Sequence, residues 1–474
     1  MAELFRPARD NACDGTRPAG CTDASARRSY PRNAFSGDVH AENVTTDLQP
    51  VLVGSNRAGV DRRSTKMPPR LLMLAPVMPS DRGNGLAMRA GFFLDTYARR
   101  FVVDLVVAPV AGSAEVSAFV RCRAERIVIL DLNQPDSYYR LVTSVRDPAT
   151  RLEAFRRYGR PSLAACVGPA CHALGGLAAE NRHSVVHVSR LYIAELATPW
   201  IDKGDDRPRL VLDCDENDAL VYGRIAAMQR REDPAAAAWS EAEGDAFAAF
   251  AAAWLVKFDV VIAASQKEAR SLSAFGAPAR AIPNVVAHAP MIRPRRSRDY
   301  FSVLFVGTLS YPPNADAANW FIARIWRRLA RALNQCVHLT LVGANPGPVM
   351  ARQSMQRGIE VTGSVADVSR YYREADLVVA PLRAGGGTRI KIIEAAAHGV
   401  PIVATALAAD GMSFRHGVDI LIADEETTFL RSCILLARNR TLSARLARSA
   451  RTKVNRDYSP AYWRARVTDF MAQS

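Results

Sequence analysis

From Arg70 to the carboxyl end, short apolar runs alternate with longer helical stretches, and this alternation confines the chain to one class of fold. The first series is LLMLAP (71–76), FVVDLVVAP (101–109), RIVIL (126–130), SVVHVS (184–189), RLVLDC (209–214) and FDVVIAAS (258–265). Runs so continuously apolar suit strands of a parallel sheet covered on both faces, and the helical stretches between them make βαβ units. After Val286 the rhythm breaks in AHAPMIRPRRSRD, a basic, proline-containing stretch without a period. A second series follows: SVLFVG (302–307), VHLTLVG (337–343), IEVTG (359–363), DLVVAP (376–381), PIVAT (401–405) and DILIA (419–423). The pattern predicts an α/β chain of two Rossmann-like, doubly wound domains, 67–286 and 301–458, joined by a linker over 287–300. A closing helix over 459–474 is predicted, with Ser459 as N-cap and Pro460 at its first position. Residues 1–66 are rich in Arg, Ala, Asp, Ser and Gly and show no helical or strand period, which predicts a disordered leader. Met67, directly before the first strand, is an alternative start.

Two doubly wound sheets that face each other make a cleft, and ligands of open α/β sheets bind beyond the carboxyl ends of the strands. The most informative such end is PLRAGGGTRIKIIEAAAHGVPIVAT (381–405). A strand ends at Pro381, three glycines follow at Gly385, Gly386 and Gly387, and a helix is predicted from Thr388 to Gly399. Glycines let backbone N–H groups approach a ligand closely, and a helix N-terminus adds free donors and partial positive charge. Arg389 and Lys391 stand in the first turn, where each cation is unfavourable by about 0.3–1 kcal/mol. A bound anion such as a diphosphate explains their presence. Glu394 is one turn on, where a carboxylate accepts from a ribose diol.

This segment resembles the donor-binding signature of retaining glycosyltransferases with the GT-B fold, in the broad group 1 class (glycosyltransferase family 4). The resemblance extends over 70–474 and is most specific over 302–424. FVGTLSYPPNADAANWF (305–321) is similar to the opening of the C-terminal domain in a subgroup tied to exopolysaccharide and envelope-sugar synthesis. IPNVV (282–286) resembles an interdomain hinge, ATALAADGM (404–412) the loop after the donor site, and the closing helix one that crosses back to the N-terminal domain. The resemblance implies a retaining hexosyltransferase-type enzyme that needs no metal or cofactor and takes a nucleotide-diphosphate sugar as co-substrate. Its donor site would comprise Gly307, Asn314, Gly343, Gly363, Gly385, Gly386, Gly387, Thr388, Arg389, Lys391 and Glu394, with backbone around Gly343 and Gly363 against the base. Many members carry a sugar-contacting acid eight residues before the position of Glu394; that position here is Gly386. Many also hold the phosphates with Arg and Lys after the first C-terminal strand, where this chain has Thr308 and Asn314. The phosphate work then falls to Arg389 and Lys391.

In the N-terminal half, Gly83 and Gly85 form a loop after the first strand and Arg89 lies on the next helix. The resemblance places this loop under the donor phosphates and beside the acceptor. His187 lies within the fourth run, two residues before Ser189, where many members have a histidine. LDCDEND (212–218) crowds Asp213, Asp215, Glu216 and Asp218 at a strand end. Crowded carboxylates shift one another's pKa values and so mark a functional candidate. Asp213 and Asp215 are accordingly candidates for acceptor contact or base assistance beside Arg389 and Lys391, against strand-end capping or an Asp-x-Asp metal site. Arg224, on the following helix, is placed to pair with this cluster.

The net charge of +15 favours acidic partners. The basic segments 151–160, 293–298 and 321–333 suit peripheral contact with an anionic membrane under a lipid-linked acceptor, at about 1 kcal/mol per basic residue. No basic motif is interleaved with aromatics, which argues against nucleic acid. The eight cysteines form no CxxC pair, and there is no signal-like apolar core or apolar run of about 18 residues or more, so a cytoplasmic protein is expected. The partners expected are a nucleotide-sugar donor and a glycan or lipid-linked acceptor. Two rival readings, a nucleotide-sugar epimerase and a non-catalytic binding protein that keeps the donor pocket, are separated from transfer by assays without and with acceptor.

Overall fold

A computed structural model describes residues 68–111, 115–180, 182–286, 300–333 and 336–472. The leader 1–66, the basic run 293–298 and all of the expected linker except Tyr300 lie outside the described residues. Seven parallel strands make the first sheet: β1 (Arg70–Ala75), β2 (Val102–Val107), β3 (Arg126–Ile129), β4 (His183–Ser189), β5 (Arg209–Asp215), β6 (Val260–Ala263) and β7 (Ala279–Ala281). Their order is β3-β2-β1-β4-β5-β6-β7. Six more make the second: β8 (Tyr300–Val306), β9 (Cys336–Val342), β10 (Ile359–Gly363), β11 (Leu377–Ala380), β12 (Ile402–Ala404) and β13 (Leu421–Ile422), ordered β10-β9-β8-β11-β12-β13. Both sheets reverse their strand order once, between β1 and β4 and between β8 and β11. Such a switch point leaves a crevice beyond the strand ends.

The apolar runs fill both faces of their sheets. Along β1, Leu72 and Leu74 enter one core while Leu71, Met73 and Ala75 enter the other, as the period of two along a strand requires. The second sheet is built around one contiguous core in which Val303, Leu304, Phe305, Val378 and Val403 meet. Helix Gly85–Tyr97 starts at Asn84, whose side chain accepts from the Ala87 N–H at 2.9 Å.

The apolar segment Ser162–Ala179 is long enough to span a membrane by length and composition. It folds as two short helices around a 3-10 turn and gives Ala164, Leu174 and Leu177 to the N-terminal core.

The closing helix begins at Pro460 and runs to Ala472. Val467, Phe470 and Met471 enter the N-terminal core, and Arg464 pairs with Asp95 at 2.7 Å. Other contacts tie the two sheet domains directly. Val221 and Ile225 pack against Ala384, Arg224 Nη1 donates to the Gly385 carbonyl at 2.7 Å, and Lys267 pairs with Asp410 at 2.8 Å. The carboxyl ends of the two sheets therefore face each other.

Candidate functional site

The second switch point assembles the basic side of the site. Gly307 follows β8, Gly343 follows β9 and Gly363 ends β10, so three glycines lie at adjacent strand ends. The Gly343 N–H donates to the Gly363 carbonyl at 3.1 Å. A Cβ at Gly307 would stand 2.7 Å from Lys391 Nζ, so the missing side chain makes room for that ammonium group. Lys391 Nζ donates to Asn314 Oδ1 at 2.6 Å, and Asn314 Nδ2 donates to the Thr308 carbonyl at 3.0 Å. Asn314 thus fixes the lysine from the β8 side.

After β11, the chain turns through Gly385 and Gly387 at φ +112° and +67°, which side chains disfavour. Helix Ile390–Ala397 starts two residues later than its sequence suggests, with Arg389 as N-cap residue. Asn284 explains the delay: its Nδ2 donates to Thr388 Oγ1 at 2.9 Å and holds Thr388 outside the helix. Arg389 Nη1 donates to the carbonyls of Gly386 and Gly387 and folds the loop around the guanidinium. Both cations are buried, and among the described residues neither forms a salt bridge. Burial, with Arg389 adding like charge, pulls the Lys391 pKa down to about 7. Burial likewise lowers that of Arg389. Glu394 is also buried, and burial pushes its pKa up to about 7 against a 2.9 Å bond from the Tyr372 hydroxyl. Buried cations of this kind bind an anion favourably, because the anion replaces the lost hydration.

The first switch point supplies the acidic side. Asp215, at the end of β5, has φ +63°, and Arg190, just after β4, has φ +84°. Strained non-glycine residues of this kind persist only where their surroundings hold them. Arg190 is held by Asp218 at 2.5 Å, Glu216 at 3.0 Å and Asp215 at 3.5 Å. Glu216 and Asp215 look across at Gly386 and Gly387: a Cβ at 386 would overlap Val221 and lie 2.7 Å from Glu216 Oε2. Gly85 faces the same region, since a Cβ there would touch Ile390 at 3.4 Å. A Cβ at Gly83, which has φ +103°, would meet nothing within 4 Å.

Four N-terminal candidates are engaged otherwise than expected. Arg89 is buried and bidentate to Asp213, at 2.7 Å and 2.6 Å, with Nη1 on the Ile282 carbonyl. Its donors are spent on the fold and not on a phosphate, and Asp213 is turned inward by the same pair. Burial opposes the charge of Arg89, but Asp213 and Asp215 more than restore it. His187 is completely buried against Phe93 and Tyr97, with Nδ1 3.0 Å from the Tyr97 hydroxyl. Burial, with the charge of Arg89, lowers its pKa to about 3, so it stays neutral inside the core. Arg224 does not pair with the acidic cluster; it reaches the Gly385 carbonyl instead.

Three residues that sequence reasoning passed over do much of the positioning: Arg190, Asn284 and Tyr372. Asn284 lies in the hinge-like IPNVV and touches Arg89, Asp215 and Thr388. Its place in that motif was the available signal; nothing local marks Arg190 or Tyr372.

Comparison with known proteins bears on the fold and on the second sheet domain. Residues 300–439 match the family model described as "Glycosyl transferases group 1". An uncharacterized 44.6 kDa protein in the cps region of Klebsiella pneumoniae is 20% identical over 186 residues, 36% of this chain and 47% of that protein. The chain thus spans about half the length of this curated relative. Among solved structures, sucrose-phosphate synthase from Thermosynechococcus elongatus superposes with a TM-score of 0.61 at 15% identity, covering 85% of this chain and 98% of that one. HepE from Anabaena, in complex with UDP and glucose, gives 0.54 at 14% identity, covering 85% and 100%. A glycosyltransferase from Rickettsia africae gives 0.53 at 10% identity, covering 85% and 97%. The chain carries a group 1 glycosyltransferase domain on the GT-B fold.

Proposed function

We propose that this chain moves a sugar from a nucleoside-diphosphate sugar to a glycan or lipid-linked acceptor, in envelope or exopolysaccharide synthesis, with retention of configuration. One observation carries the reading: Arg389 and Lys391 are buried side by side under the Gly385–Gly387 loop, with no carboxylate among the described residues paired to either. Departure of the diphosphate builds negative charge on the leaving oxygens, and cations already in place stabilise it without reorganisation. They supply the charge that a metal ion provides elsewhere. Glu394 accepts from the ribose diol while Tyr372 holds its carboxylate. Backbone at Gly343 and Gly363 meets the base, and the acceptor enters from the side of Gly83 and Gly85. The Klebsiella relative, from a cps region, supports the placement in polysaccharide synthesis. The basic helix Pro148–Tyr158 suits contact with an anionic membrane beside a lipid-linked acceptor.

A thermal-shift panel of UDP-glucose, UDP-N-acetylglucosamine and GDP-mannose tests the donor, because ligands stabilise the state they bind. At least one should raise the melting temperature. Lys391→Ala and Glu394→Gln should each lower transfer by about tenfold or more, since each removes a charged hydrogen bond of about 1.5–3 kcal/mol. Unchanged turnover in both variants sinks the assignment. Donor binding without turnover on any acceptor marks a binding protein instead.

A further inference from the structure

The gap between the two sheets is polarised. Arg389 and Lys391 stand on the C-terminal wall, and Asp215 and Glu216 on the N-terminal wall. A diphosphate belongs beside the cations and is repelled by the carboxylates. Whatever the diphosphate carries towards the acidic wall is therefore neutral and able to donate hydrogen bonds. A sugar ring, rich in hydroxyls, has both properties.

Within that wall Glu216 has a distinct geometry. Its Oε1 accepts from Arg190 Nη1 at 3.0 Å, which fixes the carboxylate. Its Oε2 points at the glycine loop, 2.7 Å from where a Cβ at 386 would stand and 3.4 Å from the equivalent point at 387. With the methyl of Val221, the carboxylate thus occupies the space that a side chain at 386 would fill. Asp213, by contrast, gives both oxygens to Arg89, and Asp218 is buried beneath Arg190.

We propose that Glu216, held by Arg190, binds the hydroxyls of the donor sugar, so that the N-terminal domain supplies the acid that Gly386 does not. Arg190 is the positioning residue, and the strain in its backbone is held by the three acids around it. The proposal rests on the donor site described above. It also implies that the sugar pocket is complete only when the two domains meet.

Calorimetry on the full chain separates the two readings. The probes are the nucleotide sugar of the panel that stabilises the wild type most and its free nucleoside diphosphate. Glu216→Gln should weaken the nucleotide sugar by about tenfold, the value of one charged hydrogen bond, and leave the free diphosphate within about twofold. Retained diphosphate affinity also shows that the variant is folded. Glu216→Asp, which keeps the charge on a shorter arm, should fall between the two. Equal losses for both ligands, or no loss for either, overturn the role of Glu216 while leaving the donor site standing. A wild type stabilised by none of the panel overturns both.

Discussion

At the scale of single residues, Lys391 and Glu394 carry charge states set by burial, and this has a consequence that can be measured. Lys391 titrates near 7 in the fold against an ordinary value of 10.5. Between those values the unfolded chain holds a proton that the folded chain lacks, so this group's contribution to stability rises with pH across that window. Glu394 titrates near 7 against 4.5, so there the folded chain holds the extra proton, and its contribution falls as pH rises from 4.5 to 7. A diphosphate beside Lys391 restores its ammonium form. At pH 8, binding of UDP should therefore take up close to one proton, read as the difference in calorimetric enthalpy between buffers of unlike ionisation enthalpy. Lys391→Met should abolish the uptake; uptake unchanged in that variant would assign the proton elsewhere. The Arg89–Asp213 pair makes a second expectation. Removing one partner of a buried pair costs about 3–5 kcal/mol, so Asp213→Ala should lose about that much in denaturant unfolding. Arg389, Lys391 and Glu394 were legible in the sequence because they are contiguous on one loop and helix. Arg190 and Asn284 were not, because their partners lie 25 to 195 residues away. Arg89, on a helix, and His187, within a strand, both turn into the core, which a place along the chain does not announce.

At the scale of elements, every strand but β7 was legible from its apolar run, the edge strands β3, β10 and β13 among them. β7 (Ala279–Ala281) reads ARA, with Arg280 exposed, because an edge strand buries little. Helix Gly85–Tyr97 shows a different limit. A Cβ at Gly91 would overlap the Ser80 carbonyl, so the helix lies directly on the loop that leaves β1. That approach brings Gly85 towards Ile390, and no local pattern announces it. Gly91→Ala should destabilise the N-terminal domain by about 1–3 kcal/mol, as overpacking does. It should also displace the loop 78–84. A melting temperature equal to the wild type would mean that helix and loop separate at little cost.

At the scale of the whole molecule, function depends on the two walls meeting, and a few contacts hold them together. The pair between Lys267 and Asp410 is partly exposed, with Lys267 65% accessible, and a pair of that kind is worth only about 0.2–1 kcal/mol. Reversing one sign replaces attraction by repulsion and roughly doubles the effect. Lys267→Glu should therefore favour separation of the domains, raise KM for the donor by about three- to tenfold, and enlarge the radius of gyration in solution scattering. Asp410 keeps Arg224 as a neighbour at 3.9 Å, which limits the loss. The double swap Lys267→Glu with Asp410→Lys restores that pair with its signs exchanged. It should recover only part of the affinity, because the introduced ammonium group then faces Arg224. Raising the salt to about 1 M, where charges are screened beyond about 3 Å, should shrink the difference between wild type and single variant. A single variant with wild-type KM and dimensions at low salt would show that the apolar contact of Val221 and Ile225 with Ala384 is enough to close the cleft.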